Sequence, residues 1–154
     1  MKTYGILFVV LIIATILFIT TSDSVETYEP DTALKLAIAE NDTRGLLEAI
    51  EHGADVNTVY HNTLTPLLYA SAKGDVEMVE MLLKNGANIG SVNKLGQTAL
   101  MVAFVFSRNE VAKLLLDRGI DPLATDVDGR TAMDYARVQR NHSGIALLKK
   151  YLNT

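Results

Sequence analysis

Residues 65–89 read TPLLYASAKGDVEMVEMLLKNGANI. Pro66 suits the first turn of a helix, where its missing N–H costs nothing. Leu67, Ala70 and Ser71 recur at helical spacing, and such small side chains let neighbouring helices approach closely. Gly74 breaks this helix, and Asp75 is placed to cap a second one. Val79, Leu82 and Leu83 form the apolar stripe of that second helix. Gly86 follows where the chain must adopt a left-handed conformation, which only glycine does without steric penalty. The stretch thus encodes two short helices.

The pattern continues in both directions with a period of 33 residues, and such a repeat decides the fold. Thr32, Thr65, Thr98 and Thr131 open the strings TALKLA, TPLLYA, TALMVA and TAMDYA. Gly53-Ala54-Asp55, Gly86-Ala87-Asn88 and Gly119-Ile120-Asp121 keep the same interval. The second-helix stripe recurs as Leu46, Ala49, Ile50 before and Ala112, Leu115, Leu116 after. No helix pair of this kind buries its apolar face alone, so stability comes from stacking neighbours.

On these motifs the chain resembles the ankyrin-repeat family over roughly residues 30–152. The resemblance implies an all-α solenoid of about four 33-residue helix-turn-helix repeats with short β-turn tips. The expected organisation is a signal peptide or uncleaved anchor at 1–22, a linker at 23–30 and the repeat domain at 31–154. Its repeats fall near 31–61, 62–94, 95–127 and 128–154, the first and last acting as caps.

Several positions depart from the family pattern. The family commonly follows Thr-Pro-Leu with a histidine that ties adjacent loops; here that place holds Leu68, Met101 and Asp134. That polar network is therefore expected to be missing. Thr63 stands where Gly96 and Gly129 stand in the next two repeats, predicting a less regular turn. Repeat three replaces Ser71-Ala72-Lys73-Gly74 with Phe104-Val105-Phe106-Ser107. Phe104 is read as filler between repeats, whereas Val105 and Phe106 occupy places that usually face solvent or a partner.

Ahead of the repeats, Met1 and Lys2 precede an uncharged run from Gly5 to Ile19, then the small polar residues Thr20 to Ser24. This is the signature of a secretory signal peptide. Cleavage after Thr20–Ser22 or Ser22–Ser24 is one outcome; retention as an anchor is the other. At about 1.5 Å per residue the apolar run reaches only about 23 Å, short of a roughly 30 Å hydrocarbon core. Either outcome places the repeats outside the cytoplasm, periplasmic or secreted if cleaved and membrane-anchored if not.

The 154 residues include no cysteine or tryptophan and carry a formal net charge of -4. Disulfides, zinc-thiolate sites and cysteine nucleophiles are thereby excluded. An acidic balance without a basic run argues against nucleic acid as a partner. The charge is uneven. Residues 23–55 hold nine acids against Lys35 and Arg44, a balance of -7. Residues 137–154 hold Arg137, Arg140, Lys149 and Lys150 and no acid, so the molecule has an acidic and a basic end, a pattern that two solvated caps explain.

No catalytic constellation is legible, and no cofactor or metal is expected. His52, His61 and His142 lack metal-site spacing, and His52 reads as a surface residue at a helix C-terminus. There is no G-x-S-x-G elbow and no phosphate loop. Asp126-Val127-Asp128-Gly129 resembles the start of a calcium loop, but Arg130 and Thr131 follow, and the four residues fit an inter-repeat turn. Asn41 and Asn141 match glycosylation acceptors.

The family resemblance implies a non-catalytic module that binds a protein through its turn tips and the inner face of its first helices, and that is monomeric when free. Carried over, that surface comprises His61, Asn62, Leu64 and Lys73 from repeat two, with Tyr60 beside them. Repeat three supplies Lys94, Leu95, Gln97, Val105 and Phe106; repeat four supplies Val127, Asp128, Arg130 and Gln139. Leu64, Leu95, Val105 and Phe106 are expected to form one apolar patch. Exported bacterial relatives of this kind imply three roles: an adaptor, an inhibitor or immunity protein for a toxic or lytic enzyme, or an accessory factor for an envelope or antioxidant enzyme.

Overall fold

The computed structural model describes residues 29–60 and 64–153. The leader, with residues 1–22, and His61, Asn62 and Thr63 lie outside the described residues. Eight helices follow one another: α1 Pro30–Glu40, α2 Thr43–Glu51, α3 Pro66–Lys73, α4 Val76–Lys84, α5 Ala99–Val105, α6 Asn109–Asp117, α7 Ala132–Val138 and α8 His142–Leu152. Odd-numbered helices stack into an inner row and even-numbered helices into an outer row. Short tips carry isolated antiparallel bridges at Tyr60–Leu64 and Val92–Thr98. Among the described residues no helix is long and apolar enough to cross a membrane.

Local chemistry sets the helix ends. Thr65 and Thr98 cap α3 and α5 by accepting from the N–H groups of Leu68 and Met101, and Asp75 caps α4 through Met78. Each such cap is worth about 1 kcal/mol. Thr32, in register with these threonines, does something else: α1 starts earlier, at Pro30, and Thr32 is an exposed residue inside the helix. Pro30 fixes its own φ for the first helical position, which displaces the start. Gly53, Gly86 and Gly119 hold φ of 93°, 90° and 83°, as their places demand.

The junction between the two helices of each repeat is less uniform. Gly74 has φ 86°, but its register equivalents Asn41, Ser107 and Arg140 also hold positive φ, at 58°, 55° and 52°. A non-glycine residue there costs on the order of 1–3 kcal/mol. Gly74 has a further constraint, since a Cβ there would stand 2.6 Å from Arg108 Cδ. The Arg108 side chain crosses that spot to donate from Nε to the Ala72 carbonyl at 3.1 Å. Lys73 Nζ likewise reaches the Ala39 carbonyl one repeat earlier, at 2.5 Å. Cations thereby satisfy carbonyls at the C-termini of α1 and α3.

The core runs as one cluster through the whole stack. Leu67, Ala70, Ser71, Val79 and Leu82 are buried as their spacing predicts, with Ile50 and Leu83 half-buried at its margin. Phe104 is 0% exposed and fills the space toward repeat four. It fits because α8 presents Gly144 beneath it, where a Cβ would stand 2.6 Å from Phe104 Cε1.

Candidate functional site

The turn tips are built by short polar side chains. Asn93 Oδ1 accepts from the N–H groups of Leu95 and Gln97 at 2.9 and 3.0 Å. One period later, Asp126 Oδ1 accepts from Asp128 and Arg130 at 2.9 and 2.8 Å. This local pattern forms the tight turn. The 126–129 segment is thus the inter-repeat turn that its sequence suggests. Tyr60 holds the same register in repeat two, and it exchanges two backbone bonds with Leu64, of 2.8 and 3.2 Å.

A polar tie of another kind, which does not use the histidine place, joins the tips of repeats three and four. Gln97 Nε2 donates to Tyr135 Oη at 2.7 Å, and that hydroxyl donates to Asp126 Oδ2 at 2.5 Å. Arg130 Nε donates to Asp126 Oδ2 at 3.0 Å, and Arg130 Nη2 reaches Asp128. The guanidinium also stands 5.3 Å from the centre of the Tyr135 ring. The Tyr135 bond and the surrounding N–H donors hold the Asp126 carboxyl down to about 2, against the desolvation that would raise it. Burial first, then the bond to Asp126, pushes the Tyr135 hydroxyl above its ordinary value. Val127 N–H adds a backbone bond to the Leu95 carbonyl at 3.0 Å, and Gly96 is needed there because a Cβ would meet Val127 N at 3.0 Å.

Leu68 and Met101, which replace the family histidine, are buried in the apolar interior, while Asp134 accepts from the Thr131 backbone N–H and hydroxyl at the start of α7. A second inter-repeat ladder runs on the other side: Asn57 donates to the Gly86 carbonyl at 3.1 Å and accepts from Asn88 N–H at 2.7 Å.

This geometry sorts the expected surface. Leu95 and Val127 stand side by side on adjacent tips, 53% and 67% exposed. Phe106 is 53% exposed at the end of α5. Lys94, Asp128 and Gln139 are exposed, and Asp128 is ion-paired with Arg130. Val105 is half-buried and packs against the core. Lys73 and Gln97 are committed to bonds between repeats, and Arg130 to Asp126 and Asp128 of its own turn. Tyr60 is half-buried, its hydroxyl near the Asp31 carbonyl and Lys35 over its ring. Burial, then the charges of Asp31 and Asp55, push its hydroxyl far above the ordinary tyrosine range. Leu64 is half-buried, and His61 and Asn62 fall outside the described residues.

Sequence reasoning missed Val138, which is 76% exposed at the end of α7. It is the register equivalent of Val105, so the period itself is the signal that finds it. Because α5 packs on α7, Phe106 and Val138 end neighbouring inner helices. Asn93 and Tyr135, also unanticipated, are the residues that hold the tips in place.

Stacked helix pairs with ordered tips and exposed apolar residues define a repeat solenoid suited to binding. A family model described as ankyrin repeats (3 copies) matches residues 12–93 and 34–126. The chain belongs to the ankyrin-repeat family. No curated protein sequence matches it. Ankyrin repeats are a protein–protein interaction module and are generally non-catalytic, so a protein is the class of partner the family implies.

Proposed function

We propose that the chain is a non-catalytic adaptor acting outside the cytoplasm, binding one protein through the tips and inner helix ends of repeats three and four. The observation that carries this reading is the exposed apolar set Leu95, Val127, Phe106 and Val138, drawn from two adjacent repeats. Exposed aromatic and aliphatic side chains among charged neighbours are how interface hot spots are built. Arg137, Arg140, Lys94 and Asp128 supply those neighbours. Export rests on the leader sequence of residues 1–22, and the repeat domain on residues 31–154.

The test is to express the full chain with a C-terminal tag in a Gram-negative host, fractionate the cells, and crosslink and recover partners. Phe106→Ala and Val138→Ala run in parallel. A stoichiometric envelope or effector protein, captured by the wild type and lost by the variants, supports the reading. Its identity separates a plain adaptor from an inhibitor of a lytic enzyme and from an accessory factor for an envelope enzyme. Equal capture by the variants moves the interface elsewhere; retention in the cytosol without a partner overturns the export reading.

A further inference from the structure

Phe104 and Gly144 are the knob and hole by which repeat four seats on repeat three. Ile38 with Met78, and Ser71 with Val111, hold the same register at the two earlier junctions, and all four are buried. The ends of the stack carry the same two positions. Gly45 is the repeat-one equivalent of Gly144, since 144 minus 45 is 99, three periods of 33. Arg137 is the repeat-four equivalent of Phe104, one period on.

Around Gly45 the described residues leave a hollow. Leu36, Ala37 and Gly45 line an open concavity of about 200 Å³, with Glu40, Asp42 and Glu48 at its rim. Among the described residues, the atoms nearest to a Cβ at Gly45 belong to its own repeat, to Asp42 and Ala37. Leu36 is exposed here, whereas of its register equivalents Tyr69 is half-buried and Val102 and Tyr135 are buried. At the opposite end Arg137, Arg140, Lys149 and Lys150 are exposed, and no acid follows Asp134.

We propose that this hollow receives the C-terminal end of a second copy of the chain. Arg137 of that copy enters where Phe104 would enter a fifth junction, and its cation meets Glu40 and Glu48. The solenoid then continues from one molecule to the next. Three arguments select this occupant. The register is the one that seats repeat four on repeat three. The charges are complementary, basic against acidic, which sets orientation and speeds encounter. Residues 23–29 of the same chain would bring Asp23, Glu26 and Glu29 with no base, adding like charge to the rim. The contact is heterologous, so association is open-ended and grows with concentration rather than stopping at a dimer. The contact shares Arg137 with the rim of the proposed partner surface, but its other half, Glu40, Gly45 and Glu48, lies in repeat one, away from Leu95, Val127, Phe106 and Val138.

Sedimentation velocity of the full chain, over a concentration series at about 20 mM and about 500 mM salt, tests this. The expected result is a mass that rises with concentration at low salt and returns to one chain at high salt. Glu48→Lys and Arg137→Glu should each weaken association at least about tenfold. Arg137 pairs with Asp134 of its own helix at 3.3 Å, and Lys149→Glu, which leaves that pair intact, should weaken association as well. Combining Glu48→Lys with Arg137→Glu in one chain should restore association, because the two ends are complementary again. Phe106→Ala should leave it unchanged. A single-chain mass at every concentration, association that survives both reversals, or association that vanishes on removing residues 1–22 would each overturn the proposal.

Discussion

Repeats two and three share one scaffold and use the end of the inner helix in opposite ways. In repeat two the sequence Ser71-Ala72-Lys73-Gly74 closes the structure: Ser71 bonds back to the Leu67 carbonyl, Lys73 staples repeat one, and Gly74 clears a path for Arg108. In repeat three Phe104-Val105-Phe106-Ser107 divides its bulk: Phe104 is wholly buried, Val105 half-buried and Phe106 exposed. Two phenylalanines two residues apart thus sit on opposite sides of the core boundary. Residues i and i+2 do not share a helix face, so hydrophobic character alone cannot say which is inside.

The sharpest way to break that comparison is to truncate both rings. Phe104→Ala should cost about 3–5 kcal/mol in urea unfolding, because it opens a cavity over Gly144. The pair can also be exchanged for the residues that repeats two and three use at this register. Phe104→Ser with Gly144→Val should lose less than the sum of the single changes, since the two sites share one space. Strict additivity would show that the ring does not depend on the glycine.

Next in size is the polar tie between the tips of repeats three and four. Tyr135→Phe should cost about 1–2 kcal/mol, leaving Gln97 and Asp126 without their shared hydroxyl. It should also change the acid response. The folded-state value of Asp126 is depressed to about 2 from an ordinary 3.8, so its contribution is present above pH 3.8 and lost as pH falls toward 2. Melting temperatures across that window should fall less steeply for Tyr135→Phe and for Asp126→Asn than for the wild type. Equal slopes would remove Asp126 from the account.

A smaller effect, of opposite sign, is expected at the helix junction. Ser107→Gly should stabilise the protein by up to about 1 kcal/mol, because it relieves a non-glycine residue at φ 55°. The reverse exchange, Gly74→Ser, should destabilise, since φ 86° strains a residue with a Cβ and Arg108 must shift off the Ala72 carbonyl to make room. Smallest of all on stability is Phe106→Ala, expected within about 0.5 kcal/mol of wild type by thermal melting. A large loss there would place Phe106 in the core and remove it from the proposed interface.

Much of this was legible before any coordinates. The threonines at 33-residue spacing located three of the four inner helices, and the glycines at 53, 86 and 119 located the ends of three outer ones. The candidate surface was legible only in part. Leu95, Phe106 and Val127 are exposed as expected, but Lys73 and Gln97 are polar residues at surface positions whose bonds reach an adjacent repeat. Nothing in their own spacing distinguishes a side chain that waits for a partner from one that reaches an adjacent repeat. Val138 was overlooked for the converse reason, as an aliphatic residue in a cap whose exposure depends on what stacks beyond it.

The sequence by itself determined the repeat, the helix pair and the family, because these follow from local propensities recurring at one interval, and local terms need no distant neighbours. Only the tertiary structure decided which bulky residue is core, which polar residue is a strut and where the tips are tied. Those outcomes depend on pairs some 33 to 40 residues apart, such as Gln97 with Tyr135 and Phe104 with Gly144, and such pairs meet only when one repeat is laid on the next.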